Sequence, residues 1–493
     1  MEAKQQFLKS KMFWVGILYF AEGFPLGIFY DLFPVHFRQQ GIELSQIGFL
    51  SLLGLAWTLK FLWAPAVDHY RHHRRWMLAV DLAMGAIMLF FSMQMGFGPA
   101  VWIAIGIFTL LAATNDIAID GYTIELLKKD EMGRANGVRI AFYRVGMLTT
   151  GFILMLSDYI AWSGAYLTAA IIFVLIGLIC LQAPKEKKYV RKKTQSLVQE
   201  LTGLFFQPHA LGTVLLFLLG CLWLINNAAK WPHACPHFWE FAFAAAGGLF
   251  LLSLVVGNGG KSPGKAGNPN PTQGPLFGVL LEMLQRPYIA PVVIFILIFK
   301  LPDSAMGFMV KPFWVDSGFS ATQIGLVSVN IGLALSIAGG LVGGWFTDKV
   351  GIFKSLWILG LFQAFSNLGY VLAASVIPPA AVGAPILLEH KALMYAASAI
   401  ESFTGGLSTA AFLAFLMAIV NKKHSATEYA LFSSIFALSR SFSGWAGGFG
   451  AQAMGYAPYF LLTFFLAFPA YLFLPWVKKM LNYAEAQKEW GQK

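Results

Sequence analysis

Long apolar runs separated by short polar loops dominate the sequence. Each run holds about 20 residues, the length that an α-helix needs to cross a bilayer, and the runs lack the alternation typical of a transmembrane strand. Runs lie near residues 12–34, 45–66, 75–96, 99–122, 137–157 and 162–182, then 209–225 and 236–256, then 288–314, 322–347, 353–375, 391–420, 426–450 and 455–477. The pattern predicts an all-α membrane protein with 14 transmembrane helices, arranged as six, two and six.

Two stretches without such runs divide the chain. Residues 184–205 are basic and polar, and residues 257–275 are rich in Gly, Pro and Asn, a composition typical of a flexible linker. We therefore expect an N-terminal six-helix bundle over 1–183, a connecting segment with two additional transmembrane helices over 184–287, and a C-terminal six-helix bundle over 288–493.

Composition agrees with burial in lipid. Of the 493 residues 57% are hydrophobic and only 12% are charged, whereas soluble domains hold about 25% charged residues. The three cysteines provide no disulfide framework. The net charge of +11 is carried by short loops between apolar runs, so it indicates membrane topology and we expect no nucleic-acid partner.

The basic loops alternate with loops that carry almost no positive charge. Because positive loops stay on the cytoplasmic side, this alternation predicts that both termini are cytoplasmic. The basic positions are Lys4, Lys9 and Lys11, then Arg71, Arg74 and Arg75, then Lys128, Lys129 and Arg134, then Lys185 to Lys193, then Lys349 and Lys354, then Lys422 and Lys423, and finally Lys478 and Lys479.

An internal repeat relates the two halves. Gln40–Gly48 precedes the second span and Ser317–Gly325 precedes the eighth, and each has a glycine, a Ser or Thr expected to cap a helix, and Gln-Ile-Gly. The loops that follow those two spans also agree, with Asp68 and Asp348 each followed by bases. Two independent capping motifs would give part of this pattern, but two parallel six-helix repeats are the architecture of the major facilitator superfamily, which the sequence resembles.

Ionisable residues inside the spans are candidates for function. Burying such a group costs at least about 2.5–3.5 kcal/mol on insertion scales, and a carboxyl in a low-dielectric site can load and release a proton as its neighbours move. The alternative for each residue is an interhelical ion pair that fixes packing. The candidates for substrate binding or proton coupling are Glu22, Lys60, Asp116, Asp120, Arg144, Lys300, Asp303, Gln363, Asn367 and Glu401.

Helical spacing indicates which of these groups share a face. Asp116 and Asp120 are four residues apart, Lys300 and Asp303 are three apart, and the amides of Gln363 and Asn367 are four apart. Arg139 and Arg144 fall on different faces, so we assign Arg144 to a cavity and Arg139 to a partner such as Asp116 or Asp120. The residues expected in gating or packing ion pairs are Asp68, Arg139, Asp348 and Arg440.

Catalytic and metal sites are not predicted. His233, Cys235 and His237 lie close together but lack a fourth ligand. No set of nucleophile, base and orienting group is evident in the sequence, so the pattern favours a permease and not an enzyme.

Several motifs in both halves resemble the AmpG family of muropeptide permeases. They are Lys60–Asp68 (KFLWAPAVD), Asn115–Asp120 (NDIAID), Tyr143–Met147 (YRVGM), Lys300–Asp303 (KLPD), Gln363–Tyr370 (QAFSNLGY), Glu401–Phe412 (ESFTGGLSTAAF) and Asn421–Leu431 (NKKHSATEYAL).

The resemblance implies a proton-driven importer of N-acetylglucosaminyl-anhydromuramyl peptides, located in the bacterial inner membrane and active in peptidoglycan recycling. We expect the protein to be a monomer. It implies no cofactor, with the proton gradient as energy source. Two alternatives remain open at this point. The first is a carrier of another bulky solute, such as a siderophore, an acetyl-CoA-like conjugate or a drug, and the second is a non-transporting membrane receptor on the same scaffold.

Overall fold

The structure is a computed structural model that describes residues 10–60, 63, 72–94, 96–127, 132–184, 219, 283, 286–420 and 425–490. Two sets of six helices are found within these ranges. The first set is α1 (Lys11–Gln39), α2 (Leu44–Leu59), α3 (His73–Met93), α4 (Pro99–Leu126), α5 (132–160) and α6 (162–181). The second set is α7 (Ile289–Asp316), α8 (Ala321–Val350), α9 (Ile352–Val376), α10 (Leu388–Ile419), α11 (Ser425–Met454) and α12 (Tyr456–Leu466, then Phe468–Phe473 and Leu474–Trp490).

The predicted all-α membrane fold is confirmed. Within the described ranges, nine helical segments are long and apolar enough to cross a membrane. The segment that holds α5 and α6 counts as one of these, because a single residue with a non-helical backbone, Ala161 (φ 59°), separates the two helices. The predicted additional helices at 209–256, the linker at 257–275 and Asp68 lie outside the described residues.

The described helices belong to two compact units. One unit comprises Met1–Tyr189, Pro291–Ile419 and Phe432–Lys493, so the six-helix sets pack together in it. The other comprises Val190–Ala290 and Val420–Leu431. Within this second unit, Arg286 forms an ion pair with the buried carboxylate of Glu428.

Glycines allow helices to pack closely inside each set. A Cβ atom on Gly23 of α1 would lie 2.0 Å from the carbonyl oxygen of Tyr143 in α5. In the second set, a Cβ atom on Gly339 of α8 would lie 2.0 Å from the carbonyl oxygen of Phe403 in α10. Since no side chain fits at such distances, glycine is required at both positions, as is common between membrane helices.

The two halves meet through equivalent helices. A Cβ atom on Gly48 of α2 would lie 2.8 Å from the Cα atom of Gly448 in α11. A Cβ atom on Gly325 of α8 would lie 2.5 Å from the carbonyl oxygen of Gly151 in α5. Because α2 and α5 occupy the same places in the first half as α8 and α11 in the second, these contacts agree with the predicted parallel repeat.

The two copies of the repeat motif begin their helices differently. Gly41 and Gly318 both adopt positive φ angles, of 79° and 86°. Ser320 caps α8 and forms a reciprocal capping box with Gln323. The cap predicted at Ser45 is wrong, because α2 begins at Leu44 and the Ser45 amide instead donates to the side chain of Gln452 in α11.

Helices α1, α7 and α8 are among the spans that depart from a continuous α-helix. The π-helical segments are Ile28–Leu32 in α1 and Ile324–Ile331 in α8. In α7 the helix Ile289–Phe299 stops, and a second helix, Leu301–Asp316, begins after Lys300 with Pro302 in its first turn. Proline supplies no backbone N–H, so the hydrogen-bond ladder is interrupted there. Such irregular segments often occur at functional sites.

Candidate functional site

A cavity of about 400 Å³ lies between the two halves. Helices α1 and α5 of the first half and α7 to α11 of the second contribute to its wall. Both π-helical segments and the break in α7 face it, so its lining includes backbone irregularities from both halves. The charged and polar residues of this lining include Tyr30, Asp31, Arg144, Lys300, Asp303, Lys311, Ser328, Gln363, Glu401 and Arg440.

Lys300 and Asp303 form an ion pair at the break in α7. The Lys300 Nζ atom donates to Asp303 Oδ2 at 2.7 Å, as the three-residue spacing predicts. Asp303 lies in the first turn of helix Leu301–Asp316, where a carboxylate is favoured by the helix dipole. The pair therefore has a stabilising role at the helix start, and it also presents both charges to the cavity.

Lys311 connects both π-helical segments. Its Nζ atom lies 3.4 Å from Asp31 Oδ1 on α1 and donates to Ser328 Oγ on α8 at 2.8 Å. Asp31 and Ser328 belong to opposite halves, so this lysine joins the halves at the cavity wall. Asp31 was not among the candidates predicted from sequence, although it stands inside the first predicted span and the cost of an intramembrane charge could have indicated it.

Two arginines line the cavity without an ion pair. The guanidinium of Arg440 lies over the ring of Tyr30, 3.9 Å from its centroid. Arg144 lies on α5 and interacts electrostatically with Arg440. Neither has a carboxylate within ion-pairing distance in the described part of the chain. The packing ion pair expected for Arg440 is therefore replaced by a cation–π contact.

Buried amides of α9 offer further polar groups. Gln363 lines the cavity, is 3% exposed, and has no hydrogen-bond partner for either amide atom among the described residues. Asn367 donates to Thr463 at 3.4 Å, and its oxygen likewise has no partner in those ranges. Buried polar groups normally have partners, so the Gln363 amide is suited to bind a hydroxyl or amide group of a solute. Asn367 is fully buried and does not line the cavity.

Glu401 of α10 also faces the cavity. One of its carboxylate oxygens accepts a hydrogen bond from the Ser402 hydroxyl at 3.4 Å. Together, Asp31, Asp303 and Glu401 provide three carboxylates in this lining, opposite the two lysines and two arginines. The cavity can therefore bind a solute that carries both acidic and basic groups.

A second group of charges lies within the first half, and we refer to it as the N-half charge cluster. Lys60 Nζ lies 3.6 Å from Asp116 Oδ2 and 3.9 Å from Asp120 Oδ2. Arg139 binds Asp120 at 3.0 Å, which is the type of partner expected for it, and Tyr19 donates to the same Asp120 oxygen at 2.8 Å. The full cluster comprises Tyr19, Glu22, Lys60, Asp116, Asp120 and Arg139.

Glu22 completes this cluster from α1. Its carboxylate interacts electrostatically with Asp116 and Asp120. One oxygen of Glu22 and one of Asp116 are buried and have no hydrogen-bond partner among the described residues. Three carboxylates thus face two cations here, and none of the six residues lines the cavity.

Two of the residues expected in gating or packing pairs are not placed in either group. Asp348 is exposed at the end of α8 and forms no ion pair within the described ranges. Asp68 lies outside those ranges, as do His233, Cys235 and His237. Among the residues that are described, no cluster of three His, Cys, Asp or Glu side chains could hold a metal ion.

Polar contacts also join the halves at the end of the molecule that holds the α1–α2 and α7–α8 turns. Arg38 Nε donates to Asp316 Oδ1 at 2.6 Å, and Tyr456 donates to Asp316 Oδ2 at 2.6 Å. Nearby, the Thr322 amide donates to Asp158 Oδ2 at 2.6 Å. These residues were not predicted from sequence because they lie at span ends, where a charge is inexpensive and carries no functional signal.

Comparisons with known proteins agree with this architecture. The sequence profile of the Major Facilitator Superfamily matches residues 15–230. The anhydromuropeptide permease of Escherichia coli (strain K12) is 26% identical over 484 residues, which span 95% of this chain and 79% of that protein. The AmpG 4 transporter of Rickettsia conorii is 24% identical over 492 residues, which span 97% of this chain and 98% of that protein.

Solved structures show the same fold at low sequence identity. The nucleoside transporter NupG superposes with a TM-score of 0.60 at 13% identity, over 96% of this chain and 99% of that one. A bacterial homologue of the lysosomal transporter Spinster superposes with a TM-score of 0.61 at 12% identity, over 97% of this chain and 98% of that one.

The chain is therefore a multi-pass membrane protein with the fold of the major facilitator transporters. Its sequence is similar to transporters of the AmpG type along almost its whole length, as the resemblance of its motifs predicted.

Proposed function

We propose that this protein is a proton-coupled importer of anhydromuropeptides in the bacterial inner membrane, with both termini in the cytoplasm. The observation that carries the proposal is a cavity built from both halves, with four cations, three carboxylates and the unpartnered amide of Gln363 in its wall. Support also comes from relatives that match 95% of the chain and are named anhydromuropeptide permeases.

The chemistry of the cavity suits a sugar–peptide. A peptide stem with carboxylates and an amine matches the mixed charges, while hydroxyl and acetamido groups of the sugars match the amide of Gln363. The volume of about 400 Å³ is near the lower end of the range for ligand pockets. This volume favours one end of a disaccharide–peptide in the cavity, rather than the whole molecule.

The N-half charge cluster is our candidate for proton coupling. With three carboxylates and two cations it carries an excess negative charge when every group is ionised. An uncompensated buried charge is costly, so we expect the cluster to bind a proton in one conformation of the transporter and release it in another. We assign this role to the cluster as a whole and not to one carboxylate.

The test is uptake of radiolabelled N-acetylglucosaminyl-anhydromuramyl tripeptide by purified protein in proteoliposomes. Uptake is measured with an inward proton gradient, without a gradient, and with an uncoupler, and protein-free liposomes serve as control. Accumulation that requires the gradient supports both cargo and coupling. Uptake without gradient dependence supports the cargo alone, and no uptake by folded protein would direct the search to other bulky solutes or to a receptor role.

A further inference from the structure

The four cations of the cavity divide into two kinds. Lys300 and Lys311 each face a carboxylate of the protein, at 2.7 Å and 3.4 Å. Arg144 and Arg440 have no such partner within the described residues, and they come from different halves of the molecule. The charge of the lysines is thus compensated by the protein, whereas that of the arginines is not.

Arg440 is held in an orientation that leaves its donors available. The ring of Tyr30 covers one face of the guanidinium at 3.9 Å, and Phe308 packs edge-on against Tyr30 with ring centroids 5.4 Å apart. A cation–π contact uses the face of the guanidinium, so the N–H groups in its plane remain free to donate. Because Tyr30 is itself packed, the guanidinium is oriented before a solute arrives.

Arg144 of α5 and Arg440 of α11 line the same cavity, so two like charges from opposite halves share its wall. Like charges in a partly buried site repel each other. An anion between them would relieve this repulsion, and a carboxylate matches the planar fork of an arginine with two parallel hydrogen bonds.

We propose that Arg144 and Arg440 together bind one carboxylate group of the transported solute, each arginine acting from its own half. The inference rests on the proposed import function and deepens it, since it identifies the chemical group by which the cavity recognises the solute. It also explains how solute binding can draw the halves together, because a single carboxylate accepts hydrogen bonds from α5 and α11.

The test compares two ligands that differ only in this group. Binding to purified full-length protein is measured by titration calorimetry for N-acetylglucosaminyl-anhydromuramyl tripeptide and for the same molecule with its carboxylates converted to carboxamides. For the wild-type protein we expect the acid to bind at least about 10-fold more tightly than the amide, as is typical of charge-assisted hydrogen bonds.

The measured quantity is the dissociation constant of the carboxamide ligand divided by that of the acid. We expect this ratio to fall in Arg144→Gln and in Arg440→Gln, and to be close to one in the double variant. Arg440→Lys, which keeps the charge but not the fork, should give an intermediate ratio and serves if a glutamine variant does not fold. Arg75→Gln is the matched control, since Arg75 is exposed at the start of α3 and is absent from the cavity wall. This control should retain the wild-type ratio.

Two results would overturn the proposal while leaving import intact. One is equal binding of acid and amide by the wild-type protein, and the other is a wild-type ratio in the double arginine variant. If the wild-type protein binds neither ligand, the proposed cargo is wrong and the arginine assignment fails with it.

Discussion

Arg38 and Asp316 join the two halves through a hydrogen bond of 2.6 Å between Nε and Oδ1. Arg38 lies one residue before the end of α1 and Asp316 is the last residue of α7, so the two residues come from corresponding ends of the two repeats. The guanidinium also donates to the backbone of Ile42, and Tyr456 donates to the second carboxylate oxygen. The first repeat thus supplies the cation, and the second repeat the anion, of the pair that joins the halves at this end of the molecule.

Asp316→Asn should loosen this end. The hydrogen bonds at Asp316 are charge-assisted, and the side chains of Arg38 and Asp316 are 23% and 22% exposed. We therefore expect the substitution to reduce the free energy that favours the closed end over the open end by about 1–2 kcal/mol. The measurement is the rate of maleimide labelling of a single cysteine, Ser51→Cys, after replacement of the three native cysteines by alanine. Ser51 is buried between α2 and α11 and donates to the Ser441 carbonyl oxygen.

We expect Asp316→Asn to raise this labelling rate roughly 5- to 30-fold. Glu389→Gln is the control, because Glu389 is an exposed carboxylate at the start of α10. An unchanged rate in Asp316→Asn would show that the ion pair does not hold the end closed.

Gly405→Ala tests the orientation of Gln363. A Cβ atom at residue 405 would lie 3.2 Å from Gln363 Oε1, so the amide must shift away from its present position. If Gln363 binds the solute, affinity for the tripeptide ligand should fall roughly 3- to 10-fold, the typical value of one hydrogen bond. Gly340→Ala is the matched control, with its nearest atom at 4.0 Å. Equal affinities of both variants would exclude Gln363 from the binding contacts.

Helix positions could be predicted from hydropathy because the length of a transmembrane run is fixed by the bilayer. The interruptions could not be predicted in the same way. The π-helical segment Ile28–Leu32 is as apolar as its surroundings except at Asp31, so hydropathy gives no indication of it. The break at Lys300 had a local signal in Pro302, which hydrophobic length alone does not take into account.

The candidate site residues could be identified from sequence, but which of them lie together in the structure could not be predicted. Intramembrane charge selected Glu22 and Glu401 alike, whereas the structure places Glu22 in the N-half charge cluster and Glu401 in the cavity. Short-range pairs such as Lys300 with Asp303 follow from helical spacing. Contacts across the halves, such as Lys311 with Asp31, depend on how α1 packs against α7 and have no signal in local spacing.

Gly339→Ala should lower the stability of the protein. A Cβ atom there would lie 2.0 Å from the Phe403 carbonyl oxygen, so α8 and α10 must separate, at a cost of about 1–3 kcal/mol. Gly344→Ala is the control on the same helix, since nothing lies within 4 Å of its Cβ position. Thermal unfolding in detergent should show a midpoint several degrees lower for the first variant and an unchanged or higher midpoint for the second. Equal midpoints would contradict the close packing of α8 and α10.

Glu22→Gln should separate solute movement from proton coupling. Glu22 belongs to the N-half charge cluster but not to the cavity wall, so its neutral amide should remove the excess negative charge without disturbing solute binding. In proteoliposomes we expect exchange of labelled for unlabelled tripeptide ligand to continue, while accumulation driven by an imposed proton gradient falls to the level seen with no gradient. Glu401→Gln provides the comparison, because Glu401 lines the cavity and its loss should weaken exchange as well. If gradient-driven accumulation survives in Glu22→Gln, the proton is carried elsewhere, and a loss of exchange in that variant would instead place Glu22 among the groups that bind solute.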